Sequence, residues 1–119
     1  MQLLLLSRDL TIQSAVQGTA NHLGLRLTVC MSTEQLIEKV AQEPAGGVIL
    51  DLETPKLDIR EVVSRLRENH HPPARVIAFG PHVHESLLES AKQAGCDLVL
   101  SRGQFHRQMI EILGGLRGE

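Results

Sequence analysis

The stretch that most constrains this chain is Gly47-Val48-Ile49-Leu50-Asp51-Leu52-Glu53-Thr54-Pro55. Val48, Ile49 and Leu50 follow one another without polar alternation. They read as a strand covered on both faces, the condition of a parallel sheet lying between helices. The run ends in a carboxylate. Pro55 then marks a loop, because proline keeps the residue before it out of the helical region. In open α/β sheets ligands and chemistry collect outside the carboxyl ends of the strands, and Asp51 falls at that edge. The other role open to it is local: a strand-end aspartate that orders its own loop.

The rest of the chain repeats a strand-then-helix pattern. Residues 2–6, with four consecutive leucines, form a strand. Ser7 or Asp9 caps a helix over 10–23, with Ile12, Ala15, Val16, Thr19, Ala20 and Leu23 on one face and Gly24 as its stop. Residues 25–30 alternate as an edge strand does. Ser32 caps a second helix, at capping-box spacing from Gln35, with Leu36, Ile37, Val40 and Ala41 inward. Pro44-Ala45-Gly46 is expected to break the chain before the central strand. Asp58 caps a third helix to about residue 69, with Ile59, Val62, Val63 and Leu66 inward, and His70-His71-Pro72-Pro73 ends it. Residues 75–79 form a strand closed by Gly80-Pro81. A helix then runs from His82 to 94, with Val83, Leu87, Leu88, Ala91 and Ala94 as its apolar stripe. Residues 98–100 form the fifth strand and Ser101-Arg102-Gly103 a loop. The last helix covers 104–116, with Phe105, Met109, Ile112, Leu113 and Leu116 inward, and the glycines Gly114, Gly115 and Gly118 fray.

Five β-α units in 119 residues imply a single domain over 1–119. The expected fold is a flavodoxin-like (βα)5 doubly wound sandwich. Its five-stranded parallel sheet has the order 2-1-3-4-5, with right-handed crossovers. Strands 2 and 5 then lie at opposite edges, too far apart for Cys30 and Cys96 to bridge. Both are expected as reduced thiols. A net charge of −2 and a pI near 6.3 argue against direct nucleic-acid binding. So do the aromatics, which are Phe79 and Phe105 alone, with nothing to stack on bases. The apolar start is too short for a membrane span or a signal peptide. A cytoplasmic protein without membrane contact is expected.

On three stretches the sequence resembles the receiver (CheY-like) domain of bacterial response regulators, over essentially its whole length. They are Val48 to Pro55, Arg75 to Gly80 with the helix after it, and Ala94-Gly95-Cys96-Asp97-Leu98-Val99-Leu100-Ser101-Arg102. The resemblance implies that Asp51 stands at the phosphoacceptor position of a two-component phosphorelay. It also exposes departures. Where receivers carry an acidic pair that helps hold Mg²⁺, this chain has Ser7-Arg8, and Asp9 is one residue out of place. The hydroxyl residue ending strand 4 is matched by Gly80, the lysine after strand 5 by Arg102, its proline by Gly103, and the switching aromatic by Val99. Phosphoryl transfer needs a hard cation with oxygen ligands, which a serine and an arginine do not supply.

These departures imply a degenerate pseudo-receiver. Arg8 and Arg102 are both expected to reach toward Asp51, an arginine–carboxylate contact replacing the metal. The expected function is a stand-alone, non-enzymatic signalling module without cofactor, acting on a protein partner by phosphorylation-independent contact. Any signal would then leave by contact with another molecule. Receivers often interact through helix 4, strand 5 and helix 5. The matching residues are Glu85, Glu89, Lys92, Val99, His106, Arg107 and Met109, and a homodimer through them is an option. The alternative is a working phosphoacceptor on Asp51, with Mg²⁺. A third option, a flavin site, lacks both a phosphate loop at Ser7-Arg8-Asp9-Leu10-Thr11 and stacking aromatics. His82 and His84 follow strand 4 near Asp51. They are two apart and fit a solvated loop and first turn better than a metal site.

Overall fold

A computed structural model describes residues 2–116. Strands and helices alternate: β1 (Gln2–Leu6), α1 (Leu10–Leu23), β2 (Leu27–Cys30), α2 (Thr33–Gln42), β3 (Ala45–Asp51), α3 (Ile59–Arg67), β4 (Val76–Gly80), α4 (Glu85–Ala94), β5 (Leu98–Ser101) and α5 (Arg102–Gly114). The strands form one parallel sheet in the order β2-β1-β3-β4-β5. This is the flavodoxin-like arrangement that the alternation implies.

Successive strand side chains point to opposite faces, and this sorts the core into two layers. Leu4, Leu6, Val48, Leu50, Val76 and Ala78 pack with Leu36, Val40, Val62, Leu66 and Ala91 under α2, α3 and α4. Leu3, Leu5, Ile49, Ile77 and Phe79 pack with Ile12, Val16, Phe105 and Leu113 under α1 and α5. All of β3 is buried, which is why its sequence shows no polar alternation. The Phe79 and Phe105 rings stack with centroids 4.4 Å apart and seat α5 against β4.

The helix ends follow local chemistry. Asp9 caps α1, accepting from the Thr11 and Ile12 N–H groups. Ser32 caps α2 through Gln35 N–H, and Asp58 caps α3 through Glu61 N–H. Gly24 and Gly95 close α1 and α4 at φ of 71° and 100°, in the left-handed region that favours glycine.

Several local expectations are corrected. Pro44-Ala45-Gly46 does not break the chain, because β3 starts at Ala45 and runs through both glycines. The missing side chain at Gly47 makes room for Leu116, since a Cβ there would stand 2.8 Å from Leu116 Cδ1. α4 starts at Glu85, not His82: His84 N–H donates to Pro81 O and closes a turn first. Val83 is therefore outside the helix and 70% exposed. Ala41, on the flank of the α2 stripe, is exposed. Ser101-Arg102-Gly103 is not a loop. Ser101 and Gln104 form a capping box, and α5 begins directly at Arg102. Gly114 is the last residue of α5 and Gly115 N–H donates to Glu111 O, while Gly118 lies outside the described residues.

Candidate functional site

Parallel register brings the site together. Leu6 pairs with Leu50, so Ser7, the next residue after β1, stands beside Asp51 at the end of β3. Its hydroxyl donates to Asp51 Oδ2 at 2.7 Å, and both residues are buried. Glu53 N–H donates to Asp51 Oδ1 at 3.0 Å. The Thr54 hydroxyl, also buried, donates to Asp51 O at 2.7 Å and tightens the turn after the strand. Asp51 therefore does order its own loop, in addition to facing the sheet edge.

Arg102 reaches this point from the other side of β4. Its guanidinium passes over the Phe79 ring, 5.6 Å from the centroid. Nε donates to Glu53 Oε1 at 2.8 Å, and Nη2 donates to Asp9 Oδ2 at 3.3 Å. The same Nη2 lies 3.7 Å from Asp51 Oδ2. Burial works against the guanidinium charge. The Glu53 hydrogen bond and the charges of Asp51, Glu53 and Asp9 outweigh it, and the pKa rises above the ordinary arginine range.

A cleft of about 380 Å³ opens over Asp51, bounded by Arg8, Asp9, Glu53, Thr54, Pro55 and Arg102. Of the two arginines expected at Asp51, only Arg102 reaches it. Arg8 is exposed on the rim and makes no ion pair with another described residue. Asp9 and Glu53 as partners of Arg102 were not foreseen. Gly80 is packed against Leu52, so a Cβ there would stand 3.3 Å from Leu52 Cβ and Cδ1.

His82 and His84 are exposed and outside this cleft. Among the described residues no group of three or more His, Cys, Asp or Glu side chains is arranged to hold a metal. Glu85, Glu89, Lys92, His106 and Arg107 are exposed and Val99 is half-buried. Met109 is corrected. It is 5% exposed and faces α1, where the Thr19 hydroxyl donates to its sulfur at 3.2 Å. Its place in the stripe Phe105, Met109, Ile112 and Leu113 is what turns it inward. Cys30 and Cys96 are unpaired, and burial pushes both thiols up to about 11.

Comparison with solved structures is decisive for the fold. The receiver domain of the sensor histidine kinase PA1611 of Pseudomonas aeruginosa, with a magnesium ion coordinated in its active-site cleft, superposes with a TM-score of 0.83. It covers 99% of this chain and 98% of that one at 19% identity. A response regulator from Hahella chejuensis gives 0.85, covering 98% and 94% at 14% identity. The chemotaxis response regulator CheY4 of Vibrio cholerae gives 0.81, covering 97% of each chain at 14% identity. The chain has the receiver-domain fold. No family model matches its sequence. The transcriptional activator protein ExaE of Pseudomonas putida is 30% identical over 90 residues. That match takes in 76% of this chain and 42% of ExaE, so the chain spans less than half the length of that relative. No described helix is long and apolar enough to cross a membrane.

A divalent metal is implied by the receiver resemblance, but the residues present do not fit one. Asp9 Oδ1 is spent on capping α1 and its Oδ2 on Arg102. Asp51 Oδ2 accepts the Ser7 proton, and Glu53 is hydrogen-bonded to Arg102. One oxygen of each carboxylate lies within 3.7 Å of the Arg102 guanidinium.

Proposed function

We propose that this receiver-fold domain is a non-enzymatic signalling module that acts on a protein partner by contact, without phosphorylation of Asp51. The observation that carries the reading is that both oxygens of the Asp51 carboxylate are engaged by the chain's own groups. Ser7 Oγ and Glu53 N–H donate to it, and Arg102 stands 3.7 Å away. Gly80 offers no hydroxyl to follow a phosphoryl group, and a Cβ there would already stand 3.3 Å from Leu52. Likeness to a protein named as a transcriptional activator supports a regulatory setting. The partner face is α4, β5 and α5, through Glu85, Glu89, Lys92, Val99, His106 and Arg107. A cleft of about 330 Å³ lies on that face. A second copy of the chain is one candidate partner, and light scattering of the purified protein distinguishes dimer from monomer.

The test is intact mass after incubation with acetyl phosphate and Mg²⁺, beside Asp51→Ala. The expected result is no added phosphoryl group in either protein. A stable adduct that disappears in Asp51→Ala would replace this reading with the phosphoacceptor one. The specific observation favouring that second reading is the open cleft directly over Asp51.

A further inference from the structure

A polar cavity of about 270 Å³ lies at the amino-terminal end of the sheet, lined by Gln2, Arg26, Thr28, Lys39, Gln42 and Glu43. Gln2 opens β1, Arg26 directly precedes β2, and α2 ends beside them at Gln42. Five steps along the chain separate Gln2 from Ser7, about 16 Å of strand, so this cavity is far from the Asp51 cleft. Leu4 and Leu6 put their side chains into the core under α2, and Gln2 stands in the same row with only 6% exposure. A buried amide is costly unless its hydrogen bonds are made. Here they are long. Nε2 donates to Glu43 O and Oε1 accepts from the Thr28 hydroxyl, both at 3.4 Å, against about 2.9 Å for an ordinary bond. The second Nε2 proton has no acceptor among the described residues. Of the charged groups on the cavity, Arg26 pairs with Glu43, and Lys39 pairs with no carboxylate among the described residues. Two cations against one carboxylate leave one positive charge. The end of α2 offsets only about half of it, so the cavity is positive on balance.

We propose that this cavity binds a small oxyanion, a carboxylate or a phosphate, held by Lys39 and Arg26 with the Gln2 amide donating from the floor. Hydrogen bonds to an ionised acceptor are shorter and roughly twice as strong as neutral ones, so the free Nε2 proton of Gln2 gains a better partner than its neighbours offer. Thr28 and Glu43 O fix which way that amide faces. Arg26 and Glu43 form an exposed pair, which contributes little to stability, so the guanidinium is shared with a ligand at small cost. The volume falls below the range of about 300–1,000 Å³ that takes drug-sized ligands, which limits the occupant to a small anion. The site does not depend on what Asp51 does.

The test follows backbone amide signals of the whole chain as inorganic phosphate or succinate is added, each against NaCl at equal ionic strength. The expected result is saturable shifts at residues 26, 28, 39 and 43, half-complete at about millimolar ligand or below, with at least one of the two anions. Which anion binds more tightly tells a phosphate site from a carboxylate site. Lys39→Gln raises the half-saturation at least about tenfold, while Lys39→Arg, which keeps the charge, stays within that margin. Gln2→Glu, which replaces the donor on the floor by an acceptor, also weakens binding. If it gives no folded spectrum, the Lys39 pair of variants decides. Shifts that NaCl reproduces, shifts centred on residues 9, 51 and 102, or no saturation with either anion would overturn the proposal. So would a folded Lys39→Gln that binds as the unaltered protein does. Phosphorylation of Asp51 overturns the functional reading and leaves this result standing.

Discussion

Strands β3 and β5 end at the same edge of one sheet, yet they are built in opposite ways. β3 is buried along its whole length, whereas in β5 only Leu100 is buried. The helix before β5 repeats the contrast, since α4 buries only Ala91. The cause is position. β3 has a strand on either side and a helical layer on each face, while β5 pairs with β4 alone. The site built around Asp51 therefore sits on the part of the molecule with most buried contact. The proposed partner face sits at an edge of the sheet, where less is buried and local opening costs less free energy.

Mutations on the two strands measure this contrast. Leu50→Ala in β3 is expected to cost about 2–5 kcal/mol in urea unfolding, the range for a fully buried leucine. A cost as small as that of a β5 mutation would break the comparison. Gly80→Thr comes next. It restores the hydroxyl that receivers carry but drives a Cβ to 3.3 Å from Leu52. Overpacking of this kind costs about 1–3 kcal/mol, read by the same unfolding curve. An unchanged stability would mean that Leu52 yields and that the space for a hydroxyl exists.

Asp97 anchors the turn into β5. Its carboxylate accepts from Val76 N–H at 2.7 Å and from Arg67 at 2.9 Å. Partial burial acts to raise its pKa, but the Val76 N–H and Arg67 outweigh it and hold it below the ordinary value of 3.8. A depressed folded pKa contributes stability above the unfolded value and loses it as pH falls through the folded one. Asp97→Ala leaves a buried N–H unpaired, at a cost of about 1–3 kcal/mol near neutral pH. The difference from the unaltered protein narrows in acid, below the ordinary carboxyl range, and a gap that widened there would reverse the sign of the argument. Leu98→Ala in β5 is expected to cost less than about 1 kcal/mol, because the side chain is 38% exposed.

The smallest perturbation is thiol labelling, which changes no side chain beforehand. Burial holds both Cys30 and Cys96 up to about 11, so neither is a thiolate at pH 8, and reaction waits on local opening. Cys96, half-buried beside α4, is expected to label faster than fully buried Cys30. Equal rates would show that the two edges open together.

The order of elements and the place of Asp51 were legible in the sequence. Val48-Ile49-Leu50 without alternation requires cover on both faces, and glycines or prolines close most of the units. Boundaries were less legible where tertiary contacts decide them. Ala45 and Gly46 carry turn-like signals but join β3 because β1 lies alongside: Gln2 pairs with Ala45 and Leu3 with Gly47, and the register shifts at Gly46 between them. The Ser101–Gln104 spacing did carry the capping-box signal that starts α5 at Arg102. Met109 was placed on the surface by analogy with other receivers, against its own helical periodicity, and the periodicity was the better guide.

By itself the sequence determined the alternation of strands and helices, the two-sided burial of β3, the carboxylate that ends it and the glycine that ends β4, because each follows from hydrophobic period or residue type; the strand order was expected from the fold class that this alternation fits. Only the tertiary structure decided that Arg102 and not Arg8 serves Asp51, and that Asp9 and Glu53 share the same guanidinium. The physical reason is reach. A strand or helix face is set by neighbours a few residues away. An ion cluster depends on where long side chains from distant segments, here 93 residues apart from Asp9 to Arg102, end in space.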